Sequence, residues 1–184
     1  MKLDLGAGNR KQEGFVTVDC NKLTNPDIFW DLNEIPYPFN DNSIDEINAC
    51  HILEHLYDPF TIMKELHRIL KPNGRLRIQV PHFSRGMTHS QHSKCFSMSF
   101  PLYFNKDYHG GYFGVNFELI SQKIRYMVMW DLKKSVMPKW SVPILKFMNG
   151  IITFMANINP YVIDRFFPFF LGGFEEIEYI FIKK

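Results

Sequence analysis

The stretch Leu3-Asp4-Leu5-Gly6-Ala7-Gly8-Asn9 decides the fold that we predict for this chain. Strand-compatible residues run into two glycines that are separated by one small residue. Such a pattern is typical of a buried parallel strand whose backbone comes close to a ligand at its end. Gly6 and Gly8 place no side chain between the backbone and that ligand.

A second strand is predicted from Phe15 to Asp19, so its last residue is an acid. A carboxylate at this position can accept hydrogen bonds from both hydroxyls of a ribose. Lys11 stands where the third glycine of a dinucleotide fingerprint would fall, and Asp19 follows Gly8 by 11 residues rather than about 20. The short connection leaves little room for a helix whose N-terminus binds a pyrophosphate. The pattern therefore indicates a nucleoside cofactor without phosphates and disfavours NAD(P).

These residues resemble the first motif of the class I S-adenosylmethionine-dependent methyltransferases, within a short methyltransferase-domain subgroup. The resemblance is dense over residues 2–83 and thin beyond them. It is carried by Leu3 to Lys11, Gly14, Val18-Asp19, Asp31-Leu32, Phe39-x-Asp41-x-Ser43-x-Asp45-Glu46, His51-x-Leu53-Glu54-His55 and Leu66 to Leu76. It implies a Rossmann-like α/β fold with a seven-stranded, mostly parallel sheet whose last strand is antiparallel. It also implies S-adenosylmethionine as the cofactor.

The resemblance assigns roles at the strand ends. Asp19 is expected to bind the ribose, and Asp31 to bind the adenine amino group beside the backbone of Leu32. Residues just after the fourth strand are expected to line the methionine end. The expected cofactor-binding residues are Asp4, Gly6, Gly8, Asp19, Asp31, Leu32, Cys50 and His51. Two alternatives stay open, because Asp31 could instead form a strand-end turn and Asp4 could instead hold its own loop.

A chain of 184 residues is expected to form one domain. Residues 1–83 would form the cofactor half and residues 84–184 the substrate half, with a helical insertion over about 136–174. A helix is predicted after Asp58-Pro59, since the acid can cap it and proline suits its first position. Further strands are predicted over 28–32, 43–49, 75–80, 117–130 (with Ile120, Ile124, Tyr126 and Val128 buried) and 175–182.

Charge is divided unevenly along the chain. Residues 1–58 carry 4 basic and 11 acidic side chains, whereas residues 59–120 carry 8 and 3 and residues 121–170 carry 7 and 2. An acidic first part suits a cofactor with a sulfonium and an ammonium group, and a basic remainder suits an anionic partner. The acids could equally lie on solvated loops.

The segment from His82 to Tyr112 lacks a regular period and is rich in histidine, serine and aromatic residues. Segments of this length are usually functional. Histidine titrates near neutral pH, so His82, His89 and His92 are the candidate general bases. They could also merely hydrogen-bond within the loop. The spacing His89-x-x-His92-x-x-Cys95 would allow a metal, but only His82 offers a fourth ligand, and no metal site is predicted.

The insertion at about 136–174 contains many aromatic residues together with Lys139, Lys146 and Arg165. Two interpretations fit this composition. One is a helical cap packed on the sheet, and the other is a helix at a membrane surface with basic anchors.

The predicted function is methyl transfer from S-adenosylmethionine to an oxygen or nitrogen nucleophile of a small-molecule, sugar or lipid-linked acceptor. Alternatives are a catalytically inactive binding or membrane-surface module and, with less support, an NAD(P)-dependent reductase. An anionic membrane surface is the second expected partner, whereas nucleic acid is not expected and no oligomeric state is indicated. Three cysteines form no disulfide framework, and the chain begins with strand residues, so a cytoplasmic location is expected. Membrane association follows only from the membrane-surface interpretation of the insertion.

Overall fold

The computed structural model describes residues 1–86, 88, 90, 92 and 94–184. Its strands are β1 (Lys2–Leu5), β2 (Val16–Asp19), β3 (Ile28–Phe29), β4 (Ile44–Cys50), β5 (Leu70–Pro81), β6 (Phe117–Arg125) and β7 (Glu176–Lys183). Its α-helices are α1 (Pro59–Ile69), α2 (Phe83–Gly86), α3 (Trp130–Val136), α4 (Ser141–Ala156) and α5 (Pro160–Phe166). Short 3-10 turns occupy Lys22–Thr24, Leu53–His55 and Phe100–Phe104.

The strands form one seven-stranded sheet in the order β3-β2-β1-β4-β5-β7-β6. All pairs from β3 to β5 are parallel, and β7 is antiparallel to both of its neighbours. The predicted α/β fold with an antiparallel last strand is therefore confirmed, and helices α4 and α5 occupy the predicted insertion. Because the chain returns through β7 between β5 and β6, the free edges are β3 and β6.

The core lies against one face of the sheet, where Leu3, Ile47 and Leu76 are register partners, Ile78 shares their face, and all four are fully buried. Helix α1 covers one face through Met63, Leu66 and Ile69, which recur at helical spacing. Asp58 caps this helix as predicted, since its carboxylate accepts a hydrogen bond from the Phe60 N–H at 3.1 Å.

Three predicted strands have different bounds in the structure. Strand β3 ends at Phe29, so Asp31 lies beyond it in a turn, and β5 already begins at Leu70. Strand β6 ends at Arg125, before the predicted end at Trp130. The burial predicted for Ile120 is wrong, because a register shift between Leu119 and Ser121 on this edge strand leaves it 56% exposed.

Helix α4 lies along the β6 edge and contacts it through polar side chains. Asn149, Thr153 and Asn157 recur every four residues and therefore share one helix face. Asn157 accepts from the Ile124 N–H at 3.0 Å and donates to the Ile124 carbonyl at 2.8 Å. The Thr153 hydroxyl accepts from the Tyr126 N–H at 3.2 Å, and the Asn149 side-chain oxygen accepts from the Met127 N–H at 2.8 Å. These side chains therefore provide hydrogen-bond partners for backbone groups at the free edge of the sheet.

Among the described residues, no single helix is long and apolar enough to cross a membrane. Helices α4 and α5 meet the length and composition criteria only when taken together, as a pair bent by 107°.

Replacing Asn157 with alanine should destabilise the protein by about 2–4 kcal/mol, because a buried backbone N–H and carbonyl would both lose their partner. Urea unfolding with an unchanged m-value would measure this loss. Phe154→Ala in the same helix removes a larger but exposed side chain and should stay within about 0.5 kcal/mol. Equal effects of the two changes would contradict the assigned orientation of α4.

Candidate active site

The site begins at the glycine loop that follows β1. Gly6 and Gly8 have positive φ values of 63° and 51°, a region that side-chain-bearing residues rarely adopt. A Cβ on Gly6 would lie 2.6 Å from the Ile52 side chain. The Gly6 N–H donates to the Val18 carbonyl at 2.8 Å, which joins the loop to β2. Glycine is thus required at Gly6 by conformation and by space.

A cavity of about 480 Å³ opens above this loop and is called the glycine-loop cavity below. Its volume is in the range of small-molecule sites. It includes five of the eight predicted cofactor-binding residues, namely Asp4, Gly6, Gly8, Cys50 and His51. Its other lining residues are Ala7, Asn9, Arg10, Gln12, Asn48, Arg77 and Met129.

The other three predicted residues, Asp19, Asp31 and Leu32, stand outside this lining. Asp19 adjoins the loop, because its carboxylate accepts from the Gly8 N–H at 2.9 Å and from the Asn21 N–H at 2.8 Å. Asp31 accepts from the Asn33 N–H at 2.9 Å and thereby forms a turn. Leu32 is buried. These bonds show how Asp19 and Asp31 shape the strand ends.

Asp4 is buried below the glycine loop. Its carboxylate accepts from the Asn48 amide at 2.6 Å and from the Gln12 N–H at 3.1 Å. The Asn48 carbonyl oxygen accepts in turn from Arg77 at 3.1 Å. Asp4 therefore holds the loop onto the sheet, which is one of the two roles that the sequence left open.

His51 follows β4 with a positive φ of 52°, and its backbone N–H donates to the Gln79 carbonyl at 2.8 Å. Its ring lies between two carboxylates, with Nδ1 3.2 Å from Glu54 and Nε2 2.8 Å from Glu176. Burial disfavours the charged ring, but the hydrogen bonds and charges of Glu176 and Glu54 outweigh burial and raise the pKa of His51 to about 9. At neutral pH the ring is a fixed cation that donates from both nitrogens, and it does not act as a base.

Cys50 is a neutral thiol in the same wall. Burial and the charge of Glu176 raise the pKa of Cys50 to about 11. Its Sγ lies 3.1 Å from the side-chain oxygen of Gln79 and can donate to it. A thiol with this pKa is a weak nucleophile at neutral pH, so Cys50 supplies shape and polarity.

A second cavity of about 470 Å³ adjoins the first and is called the histidine cavity below. His51 and Met129 line both cavities. Met129 also has a positive φ, 53°, and precedes α3. Strained residues of this kind cluster at functional sites. The remaining lining residues are Glu54, His55, Pro81, Arg85, Gly86, Thr88, His92, Val128, Leu132, Lys133 and Glu175.

One wall of the histidine cavity is organised around Glu175. Its carboxylate accepts from Arg85 and from Lys133, each at 2.8 Å, and from the Val128 N–H at 2.7 Å. Two cations thus share one carboxylate, which leaves this wall with a net positive charge.

The three predicted catalytic histidines lie in different surroundings. His82 is fully buried, with Nε2 2.8 Å from Asp164 and Nδ1 2.7 Å from the Ser84 hydroxyl, and it does not line the histidine cavity. His92 lines that cavity, and its Nδ1 lies 3.0 Å from the Gly86 carbonyl. His89 lies outside the described residues.

One group of side chains in the histidine cavity has donors suited to a metal. Glu54, His55 and His92 each bring one donor atom within 4.8 Å of the others. Two imidazoles and a carboxylate form a set that Zn²⁺ accepts. This set differs from the His89, His92 and Cys95 spacing considered from the sequence. Cys95 is exposed.

The sequence did not point to Met129, Arg85, Lys133, Glu175 or Glu176 as site residues. They come from α2, the β6–α3 connection, α3 and the start of β7, far apart in the chain. Glu54 was part of a quoted motif without an assigned role, and its position three residues after His51 was the available signal.

Comparison with known proteins agrees with this fold. A model of the methyltransferase domain family matches residues 29–78. A search of the curated proteins found no significant match. One similar solved structure is a candidate sarcosine dimethylglycine methyltransferase from Galdieria sulphuraria, with a TM-score of 0.62 and 19% identity over 100% of this chain and 77% of that one. A second is the YcgJ protein from Bacillus subtilis, with a TM-score of 0.56 and 17% identity over 100% of this chain and 91% of that one. A third is a SAM-dependent methyltransferase from Archaeoglobus fulgidus, with a TM-score of 0.55 and 19% identity over 99% of this chain and 85% of that one.

At these sequence identities the structural similarity establishes the fold, and it does not identify an acceptor for this chain. The family model covers about a quarter of the chain, so the comparisons show a methyltransferase-domain match over residues 29–78 and a methyltransferase-like fold over the whole chain.

Stability should reveal the charge on His51. The pKa of His51 is raised from 6.5 to about 9 on folding. Its contribution to the free energy of unfolding is therefore complete at pH values below the unfolded-state pKa and is lost as the pH rises through the folded-state pKa. His51→Gln should cost on the order of 2–3 kcal/mol at pH 7 by linkage, and this difference from wild type should shrink toward pH 10. Urea unfolding at several pH values would measure it.

His55→Gln is the control, since it removes an exposed imidazole four residues away. A His51→Gln difference that stays constant over the same pH range would show that the ring is not a buried cation.

Proposed function

We propose that the protein transfers a methyl group from S-adenosylmethionine, bound in the glycine-loop cavity, to an acceptor bound in the histidine cavity. The observation that carries the proposal is the pair of adjoining cavities that share His51 and Met129. In-line displacement needs the methyl donor and the nucleophile on opposite sides of one short gap. Two cavities that meet at two residues offer such a gap.

The residues around the glycine loop fit a nucleoside cofactor with an amino acid end. Gly8 leaves open space, since an added Cβ would have no protein atom within 4 Å. Asp19 adjoins the loop and suits the ribose hydroxyls, and Asp31 at the next strand end suits the adenine. His51 stands in the shared wall with both ring nitrogens bonded to Glu54 and Glu176, so it shapes the methionine end of the site rather than binding the cofactor carboxylate. The cofactor, when bound, supplies an activated methyl group on a sulfonium.

The chain's own contribution to the reaction is mainly positioning. The leaving thioether is neutral, so the chain needs to align the acceptor and exclude water rather than protonate a leaving group. A base is required where an acceptor hydroxyl or ammonium must lose its proton. Of the predicted candidates that the structure describes, His92 lines the histidine cavity. The Gly86 carbonyl accepts from its Nδ1–H, which places the lone pair of the neutral ring on Nε2.

The acceptor proposed here is a small molecule, a sugar or the head group of a lipid, with an oxygen or nitrogen nucleophile. The cavity volume and the net positive wall of Arg85 and Lys133 around Glu175 support a polar or anionic group there. The competing hypothesis is a binding module that has kept the cofactor site without turnover. Retained cofactor binding with no methyl transfer to any acceptor class would favour that hypothesis.

Cofactor binding is tested by Gly8→Ala. The added methyl would project into the open cavity, so affinity for S-adenosylhomocysteine, measured by calorimetry, should fall at least tenfold. Gly14→Ala is the matched control, because Gly14 also has a positive φ (78°) and open space but does not line the cavity. Both changes should cost about 1–2 kcal/mol of stability from backbone strain, and only Gly8→Ala should weaken binding.

NAD serves as the second ligand in the same titration. Binding of NAD in place of S-adenosylhomocysteine would overturn the proposed cofactor. Equal affinity of the two glycine variants for S-adenosylhomocysteine would move the cofactor away from the glycine loop.

Catalysis is tested by His92→Gln and His82→Gln. If His92 is the base, its loss should lower kcat about 100-fold or more while cofactor affinity is unchanged. His82→Gln should instead lower stability, because it disturbs the buried contact with Asp164. An increase in acceptor KM alone would assign His92 to binding, and a kcat within a few fold of wild type would leave catalysis to positioning.

A further inference from the structure

The surface formed by α4, α5 and the residues beside them exposes most of the protein's accessible large hydrophobic side chains. Of 24 such exposed residues in the described part of the chain, 17 lie between residues 129 and 170. Representative members are Trp140, Phe147, Ile151, Phe154, Phe166 and Phe170, and this surface is called the α4–α5 face below. Exposed apolar patches of this extent mark interaction sites.

Helix α4 turns its polar side chains toward the protein and its apolar side chains outward. Asn149, Thr153 and Asn157 bond to the backbone after and within β6, whereas Phe147 and Phe154 are 71% and 72% exposed. A surface helix of a water-soluble domain has the opposite arrangement. Among the described residues of α4, Ala156 alone is fully buried. The outward face is therefore suited to an apolar environment.

The exposed charges of residues 137–174 are all positive. Residues 137–174 contain four charged side chains, Lys139, Lys146, Asp164 and Arg165. Asp164 is buried against His82, and the three exposed ones are cationic. Cations beside an apolar, aromatic-rich helix face are complementary to an anionic lipid surface.

We propose that the α4–α5 face binds the surface of an anionic lipid bilayer, with α4 lying in the plane of the interface. A helix of 16 residues is about 24 Å long, shorter than the roughly 30 Å hydrocarbon core. Crossing the bilayer would also require α4 to leave the β6 edge and abandon its hydrogen bonds to Ile124, Tyr126 and Met127. Binding in the interface keeps those bonds and buries the outward face.

This orientation brings the bilayer beside the histidine cavity. Val128, Met129 and Leu132 line that cavity and begin the same segment. An amphiphilic acceptor could then reach the cavity from the lipid surface without crossing bulk water. This last link rests on the proposed function, whereas bilayer binding itself does not.

The test is co-flotation of the full chain with vesicles of phosphatidylcholine, with and without phosphatidylglycerol. The protein should float with the anionic vesicles, and raised salt should weaken the association because it screens surface charge. Phe147→Ser with Phe154→Ser should lower the bound fraction more than tenfold. Lys139→Gln with Lys146→Gln should lower it about tenfold on anionic vesicles and have little effect on neutral ones.

The matched controls lie at the opposite edge of the sheet. Phe29 is an exposed aromatic residue on β3, and the Lys22 ammonium lies 4.9 Å from its ring centroid. Phe29→Ser and Lys22→Gln remove the same chemistry away from the α4–α5 face and should leave flotation unchanged. Affinity for S-adenosylhomocysteine should be equal in all four variants, which separates this proposal from the cofactor site.

The depth to which the α4–α5 face enters the bilayer can be measured with brominated lipids, which quench tryptophan fluorescence by contact. Trp140 lies on the α4–α5 face, so its fluorescence should be quenched by these lipids. The variant Trp140→Phe still contains Trp30 and Trp130 and should lose most of the quenching. Failure to float with anionic vesicles at low salt would overturn the proposal. So would a stable dimer that Phe147→Ser and Phe154→Ser dissociate, because a second copy of the chain would then cover the face.

Discussion

A row of charged and polar side chains crosses five neighbouring strands below the glycine loop, and the rest of the structure depends on it. Each member bonds to the next, in the order Asp4, Asn48, Arg77, Glu178, Arg125, Glu176 and His51. Several of these groups are buried, where an unpaired charge would cost several kcal/mol. A one-residue slip of any strand would move its member to the opposite face and leave its neighbours unpaired. The row therefore specifies strand register as well as stability.

The same row links the fold to the site. It begins at Asp4, which holds the glycine loop, and ends at His51, the residue in the wall of both cavities. Glu176 belongs to β7 and meets His51 only because β7 returns between β5 and β6. Burial raises the pKa of Glu176, but the hydrogen bond from His51 and the charge of Arg125 outweigh it, and the net shift is downward. Each ion thus keeps the other charged in a poorly solvated place.

In the last third of the chain, polar contacts between residues far apart in sequence attach the helices to the sheet. His82 and Asp164 are 82 residues apart in sequence and connect the end of β5 with α5 through one buried bond. Asn149, Thr153 and Asn157 attach α4 to the edge strand. Ala156 is buried in the core and Ile152 and Ile163 pack against it, while these polar bonds attach the helices to the sheet and most of the other apolar side chains face outward. A histidine that the sequence presents as a candidate base is, in three dimensions, part of this attachment.

The sequence by itself determined the positions of most strands, the tight glycine loop and the cap of α1, because glycine spacing, strand alternation and helix caps each act within a few residues. The antiparallel last strand and five of the residues around the first cavity were expected from the resemblance of the motifs to a known family. Only the tertiary structure decided the charge on His51, the place of Met129 between two cavities, the burial of His82 and the outward face of α4. Each of those depends on partners such as Glu176 or Asp164 that lie far away along the chain, and a contact between distant residues leaves no period or motif in the sequence of either one.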